Sequence, residues 1–151
     1  MNSRNKAATP PRRSDQRGRT RVLCVDDSLG VTEALRMLIE MEPDLEVAGI
    51  LHCADDLVGH VRRLQAAVVV LDLSMPGLDP LQAIRDLASR VPVCRVIAFS
   101  GYPDPDTRAA ALAAGAADFM SKGAPLENLA QTIRRVCPTT TAGGRDRVGE
   151  A

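Results

Sequence analysis

A few side chains in this sequence could do chemistry together: Asp26, Asp27, Asp72, Ser100 and Lys122. Each stands at the end of a short apolar run. Asp72 closes Ala67-Val68-Val69-Val70-Leu71, and Pro76 and Gly77 stop regular structure soon after it. An apolar run of this length, bounded by turn residues, suits a strand buried on both faces of a parallel sheet. Ligands and chemistry in open α/β sheets gather just beyond the carboxyl ends of such strands. Taken alone, a strand-end Asp merely starts a turn, so its neighbours decide. Asp26 and Asp27 follow the run Arg21 to Val25, Ser100 follows Val93 to Phe99, and Lys122 follows Ala117 to Ser121. Three carboxylates crowded into one pocket need a compensating cation to stay ionised. A hard divalent ion with oxygen ligands, Mg²⁺, answers that need, and Lys122 adds a positive charge on the far side. An Asp carboxylate can attack phosphorus to form an acyl phosphate, a reaction that asks mainly for positioning and charge neutralisation.

The elements that must position these groups can be read from hydrophobic period and turn chemistry. After the first strand, Val31, Ala34, Leu35, Leu38 and Ile39 recur at helical spacing until Pro43. Leu45 to Leu51 forms a second, less apolar strand. Asp55-Asp56 then opens a helix carrying Leu57, Val58, Val61 and Leu64. Ala67 to Leu71 is the third strand. Asp79-Pro80 and Asp104-Pro105 both place a capping residue before Pro at the first helical position, ahead of the third and fourth helices. Gly115 suits the end of the fourth helix. A last helix carries Leu126, Leu129, Ile133 and Val136 up to Pro138. Five alternations of strand and helix predict a five-stranded doubly wound parallel sheet with helices on both faces and strand order 2-1-3-4-5. In that order the first and third strands are neighbours at the switch point where ligands bind.

Composition sets the bounds. The chain of 151 residues is 45% apolar and 25% charged, which is ordinary globular usage and enough for one domain with a real core. Residues 1–21 carry Arg4, Lys6, Arg12, Arg13, Arg17, Arg19 and Arg21 against Asp15, a charge of +6 that the rest of the chain balances at −6. Residues 1–19 are therefore expected to be a disordered basic tail, residues 20–138 the folded domain and residues 139–151 a flexible tail. No apolar run reaches the length of a membrane span, and no secretory signal opens the chain. Cys24, Cys53, Cys94 and Cys137 are widely spaced, two of them within expected strands, and read as reduced thiols of a cytoplasmic protein.

The motifs Val-Asp-Asp-Ser at 25–28, Leu-Asp-Leu-Ser-Met-Pro-Gly at 71–77, Ala-Phe-Ser-Gly at 98–101 and Ala-Asp-Phe-Met-Ser-Lys-Gly at 117–123 together resemble the receiver domain of two-component response regulators. The steps of 45 residues from Asp27 to Asp72, 28 from Asp72 to Ser100 and 22 from Ser100 to Lys122 are similar to those of that family. The resemblance implies a flavodoxin-like fold and a single-domain response regulator, with Asp72 as phosphoacceptor from a histidine kinase or histidine phosphotransfer protein. It implies that Asp26, Asp27, Asp72 and the backbone carbonyl of Ser74 hold Mg²⁺. Ser100 would hydrogen-bond the phosphoryl group and Lys122 would pair with it. Phe119 would swing inward on activation, and a face built from the fourth helix, fifth strand and fifth helix would meet a downstream partner or a second copy. Tyr102 lies where access to the phosphoryl group is controlled in such domains. The protein would then be no enzyme beyond its own phosphorylation and dephosphorylation.

Two positions depart from the family pattern. Gly123 and Ala124 separate Lys122 from Pro125 where many receivers have a Lys-Pro bond, which predicts a looser loop. This Lys-Gly-Ala pattern is similar to receivers that carry a helix-turn-helix output. Pro80 stands where a Gly is common, which predicts a changed start to the third helix. Rival readings are a haloacid-dehalogenase-type phosphatase, which wants an Asp where Ser74 stands, and a degenerate receiver serving as a docking module. A third is a regulator whose basic arm binds nucleic acid, although that arm reads more simply as a solvated tail. His52 and His60 are expected at the surface.

Overall fold

The computed structural model describes residues 18–137. Residues 1–17 and 138–151 lie outside the described residues, and with them most of the expected tail at 1–19 and all of the expected tail at 139–151. Ten elements alternate: β1 (Thr20–Val25), α1 (Leu29–Glu40), β2 (Leu45–Leu51), α2 (Leu57–Leu64), β3 (Val68–Asp72), α3 (Pro80–Arg90), β4 (Arg95–Ser100), α4 (Pro105–Ala114), β5 (Asp118–Ser121) and α5 (Glu127–Val136). The sheet is parallel in the order β2-β1-β3-β4-β5. No helix among the described residues is long and apolar enough to cross a membrane.

Alternation along each strand splits the core into two layers. Leu23, Val25, Val69, Leu71 and Ala98 turn toward α2, α3 and α4, where they meet Val61, Ile84, Leu87 and Ala111. Val22, Cys24, Val68, Val70, Ile97 and Phe99 turn the other way, onto Leu35 and Ile39 of α1 and Leu129 and Ile133 of α5. β3 lies in mid-sheet with all five residues buried, the reason it reads as an unbroken apolar run. β2 is an edge strand with most of its residues only half-buried, and its composition is correspondingly mixed.

The expected caps are in place. Asp56 accepts from Gly59 N, Asp79 from Gln82 N and Asp104 from Thr107 N, with Pro80 and Pro105 following two of them. Gly115 has φ +121°, and a Cβ there would lie 2.8 Å from Ala88 Cβ, so the α3–α4 contact requires glycine.

Some boundaries move. β4 begins at Arg95, not Val93: Cys94 N donates to Val91 O in a turn that leaves Val93 exposed. Cys94 thus sits before the strand, though still buried. β3 lies one residue later at both ends than the expected Ala67 to Leu71, so that Asp72 is its last residue. All four cysteines are free. Burial, chiefly, pushes the Cys24 and Cys94 thiols up to about 12, so neither is a ready nucleophile.

Candidate functional site

Strand register assembles the site. Val25 of β1 stands opposite Leu71 of β3, so Asp26 and Asp72 emerge side by side. Asp72 stands opposite Phe99, which brings Ser100 next in line, and Ser100 stands opposite Ser121, which delivers Lys122. Backbone bonds continue the ladder past the strand ends: Leu73 N donates to Phe99 O at 3.1 Å and Lys122 N to Ser100 O at 2.7 Å.

The two buried carboxylates are held alike. Asp26 Oδ1 accepts from Ser28 N at 2.9 Å, and Asp72 Oδ1 accepts from Ser74 N at 2.9 Å. Each turns the chain sharply away from the sheet, the first into α1, where Ser28 is also the N-cap. The repeated Asp-x-Ser at 26–28 and 72–74 was a legible signal for these turns that the motif reading passed over.

Lys122 does not sit on the far side of the pocket. Its Nζ lies 2.7 Å from Asp26 Oδ2 and 3.1 Å from Asp72 Oδ1, between the two carboxylates, and 5.6 Å from the centre of the Phe99 ring. Burial works to lower the ammonium's pKa, but the Asp26 and Asp72 carboxylates paired with it outweigh that and leave it raised. Lys122 is therefore a cation at neutral pH. The loop after it carries two local bonds, Gly123 N to Ser121 Oγ and Ala124 N to Ser121 O, both at 3.1 Å.

Asp26, Asp27 and Asp72 offer oxygens that all lie within 4.8 Å of one another. Asp26 and Asp72 are 1% exposed, whereas Asp27 is open to solvent. One ammonium against three carboxylates leaves the pocket short of positive charge. Asp26 Oδ2 is buried, with the Lys122 ion pair as its contact and no aligned hydrogen bond. Such a donor set, all oxygen and open on one side, fits a hard divalent cation that keeps some of its waters.

Ser100 is buried beside Asp72, and its Oγ accepts from Tyr102 N at 3.0 Å. Phe119 is also buried, packed with the α2–α4 layer, so its ring is already inward. Tyr102 is exposed. His52 is exposed just past β2, 3.2 Å from Thr32 Oγ1, and His60 lies half-buried on α2 beside Arg63; neither reaches the carboxylates.

The family model for the response regulator receiver domain matches residues 22–134. The chain belongs to this family. It is 38% identical over 117 residues to response regulator GacA of Pseudomonas aeruginosa, covering 77% of this chain and 54% of that protein. It is also 38% identical over 135 residues to protein-glutamate methylesterase/protein-glutamine glutaminase 2 of Cereibacter sphaeroides, covering 87% of this chain and 37% of that one. The crystal structure of a LuxR-family two-component response regulator from Aurantimonas superposes with a TM-score of 0.73 at 27% identity, covering 78% of this chain and 84% of the other. The chain thus spans about half the length of GacA, at 54%, and less of the methylesterase. Receiver domains bind Mg²⁺ at an acidic pocket and interact with histidine kinases or phosphotransfer proteins; their general role is phosphorylation-dependent signalling.

Proposed function

We propose that Asp72 is the phosphoacceptor of a cytoplasmic signalling switch, taking its phosphoryl group from a histidine kinase or a histidine phosphotransfer protein. The observation that carries this reading is the position of Asp72 between Asp26 and Ser100 in strand register, with Lys122 Nζ 3.1 Å from its Oδ1. Ser74 N and Lys122 both engage Oδ1. Oδ2 makes no such contact among the described residues, and it is the oxygen that attacks phosphorus. The new Asp72 O–P bond forms as the donor's bond to phosphorus breaks, and the donor leaves with the electron pair. Ser100 donates to one phosphoryl oxygen and Lys122 pairs with another. Asp26, Asp27, Asp72 and the Ser74 carbonyl would hold Mg²⁺. That ion would supply charge neutralisation at the phosphoryl oxygens.

The folded receiver corresponds to residues 20–138, with the basic segment 1–19 and residues 139–151 as appendages. The output is protein–protein contact through α4, β5 and α5, with a downstream partner or a second copy, and no catalysis beyond the receiver's own phosphorylation and dephosphorylation. The charge state of Asp72 biases two arrangements of that face.

The test is incubation with Mg²⁺ and acetyl phosphate, followed by intact mass. The wild type gains one phosphoryl group, and Asp72→Asn gains none. An adduct of equal yield on the variant would remove Asp72 from the mechanism.

A further inference from the structure

All five strands run parallel, so the strand starts and the last turns of the helices share the end of the molecule opposite Asp72. Charge is sorted between these two ends. Asp26, Asp72, Asp79, Asp104 and Asp106 stand at strand ends or helix starts, on the Asp72 side. At the opposite end α2 closes on Arg62 and Arg63, α3 closes on Arg90, and β4 opens on Arg95. All four arginines are exposed, and among the described residues none of them forms an ion pair. Other arginines of this end are already answered: Arg21 pairs with Glu46, and Arg134 with Glu42 and Asp44. Asp86, one turn before Arg90, accepts from Gln82 at 2.9 Å.

Backbone and side-chain bonds draw the four together. Ala67 N donates to Arg21 O at 2.8 Å and Arg95 N to Ala67 O at 2.9 Å, so β1, β3 and β4 begin side by side. Arg21 Nε donates to Leu64 O at 2.9 Å, fixing the end of α2 against the start of β1. Arg62 donates to Arg90 O at 3.0 Å, which joins the end of α2 to the end of α3. An arginine in a last turn suits the helix dipole, and that accounts for Arg62. It does not account for Arg95, which lies on no helix, or for so much unanswered positive charge on one end of the fold.

We propose that this end of the domain is a binding surface for the phosphate backbone of a nucleic-acid duplex, taken without regard to sequence. The proposal goes beyond the reading of Asp72 and does not depend on it. Residues 1–17 join the described chain at Gly18, two residues before β1, and therefore at this same end. They carry Arg4, Lys6, Arg12, Arg13 and Arg17 against Asp15. Read alone, that segment is a solvated tail; beside the four arginines it extends one positive surface. Apart from Lys6 the basic groups are all arginines, whose planar fork pairs with two phosphate oxygens at once. No ring is at hand to stack on an unpaired base, because Phe99 and Phe119 are buried and Tyr102 lies past the far end of β4. That favours the phosphates of a duplex over a single strand. The acidic Asp72 end is then turned away from the nucleic acid and stays open.

The test is fluorescence anisotropy of a labelled, mixed-sequence DNA duplex with the full chain, across a range of salt concentrations. The expected result is binding that weakens steeply as salt rises. Arg63→Gln, Arg90→Gln and Arg95→Gln combined should lower the slope of log affinity against log salt by about three. Arg62 is kept in that variant because it closes α3. The same three positions changed to Lys keep the charge and should keep the slope, which separates lost contacts from a lost fold. Arg36→Gln with Arg108→Gln takes charge from α1 and α4 and should leave the slope as it is. A wild type that binds no duplex at low salt would overturn the proposal. So would binding to vesicles of anionic phosphatidylglycerol alone, which would give this end to a membrane. An unchanged slope in the glutamine variant would leave the contacts to residues 1–17 and overturn the folded end as a surface. A comparable fall in the Lys variant, or in the Arg36 and Arg108 variant, would overturn it too, since placed charge would not be the cause.

Discussion

Asp26, Asp72 and Lys122 form a mutually dependent set. Two nearly buried carboxylates share one ammonium, at 2.7 and 3.1 Å. Removing the cation strands both, and breaking a buried ion pair in this way is strongly destabilising. Because Lys122 keeps 23% of its side-chain surface, water offsets part of that loss. Lys122→Ala should lose about 2 kcal/mol in a metal-free buffer. Mg²⁺ should then restore more stability to the variant than it adds to the wild type, since the ion meets carboxylates with no ammonium between them. Urea denaturation of both proteins, with and without Mg²⁺, measures this. Equal gains would mean that the ion and the ammonium do not answer the same charges. The identity of these side chains was legible in the sequence because each follows an apolar run. The bridging position of Lys122 was not, because it depends on how far a flexible side chain reaches across β4 from β5.

At the scale of elements, the strand-helix order was readable because β1, β3 and β4 are inner strands whose apolar runs end abruptly. Register was not readable: a strand buried on both faces carries no alternation to fix it. The start of β4 was misplaced for a related reason. Val93 extends the apolar run in sequence but is turned into solvent by the Cys94–Val91 turn. Contacts between distant elements were equally silent. Arg134 of α5 reaches Glu42 at 2.6 Å and Asp44 at 2.7 and 2.8 Å, tying the last helix to the loop before β2. The hydrogen bond from Arg134 is the main cause that holds the Asp44 carboxyl below its ordinary value of 3.8. With the folded pKa below the unfolded one, the clamp's contribution is fully present above the ordinary value and is lost as pH falls through the folded value. Asp44→Asn should therefore cost about 0.5–1 kcal/mol near neutral pH, the range of a partly exposed pair. The gap between variant and wild type should narrow as pH falls below the ordinary carboxylate value. Urea midpoints across that range decide it, and a gap that persisted in acid would assign the loss to packing.

For the whole molecule, the proposed switch requires that an event at Asp72 reach α4, β5 and α5. A ligand shifts an equilibrium only through contacts that differ between its two states. Ser100 is placed to make such a contact. It lies beside Asp72 on the one side, stands opposite Ser121 of β5 on the other, and holds the amide of Tyr102 ahead of α4. Phe119, on the same β5, is buried against the layer that α3 and α4 complete, so a shift in that layer moves it too. Ser100→Ala leaves Asp72, the acidic set and Lys122 untouched but removes the hydroxyl proposed to answer the phosphoryl group. The variant should still form the Asp72 adduct with acetyl phosphate by intact mass. Its amide NMR spectrum with fluoroberyllate should change around Asp26, Asp72 and Lys122, while the shifts that the wild type shows in α4, β5 and α5 are largely lost. Those shifts appearing undiminished in Ser100→Ala would mean that the signal leaves the site by another route, with Lys122 at the end of β5 as the remaining direct link.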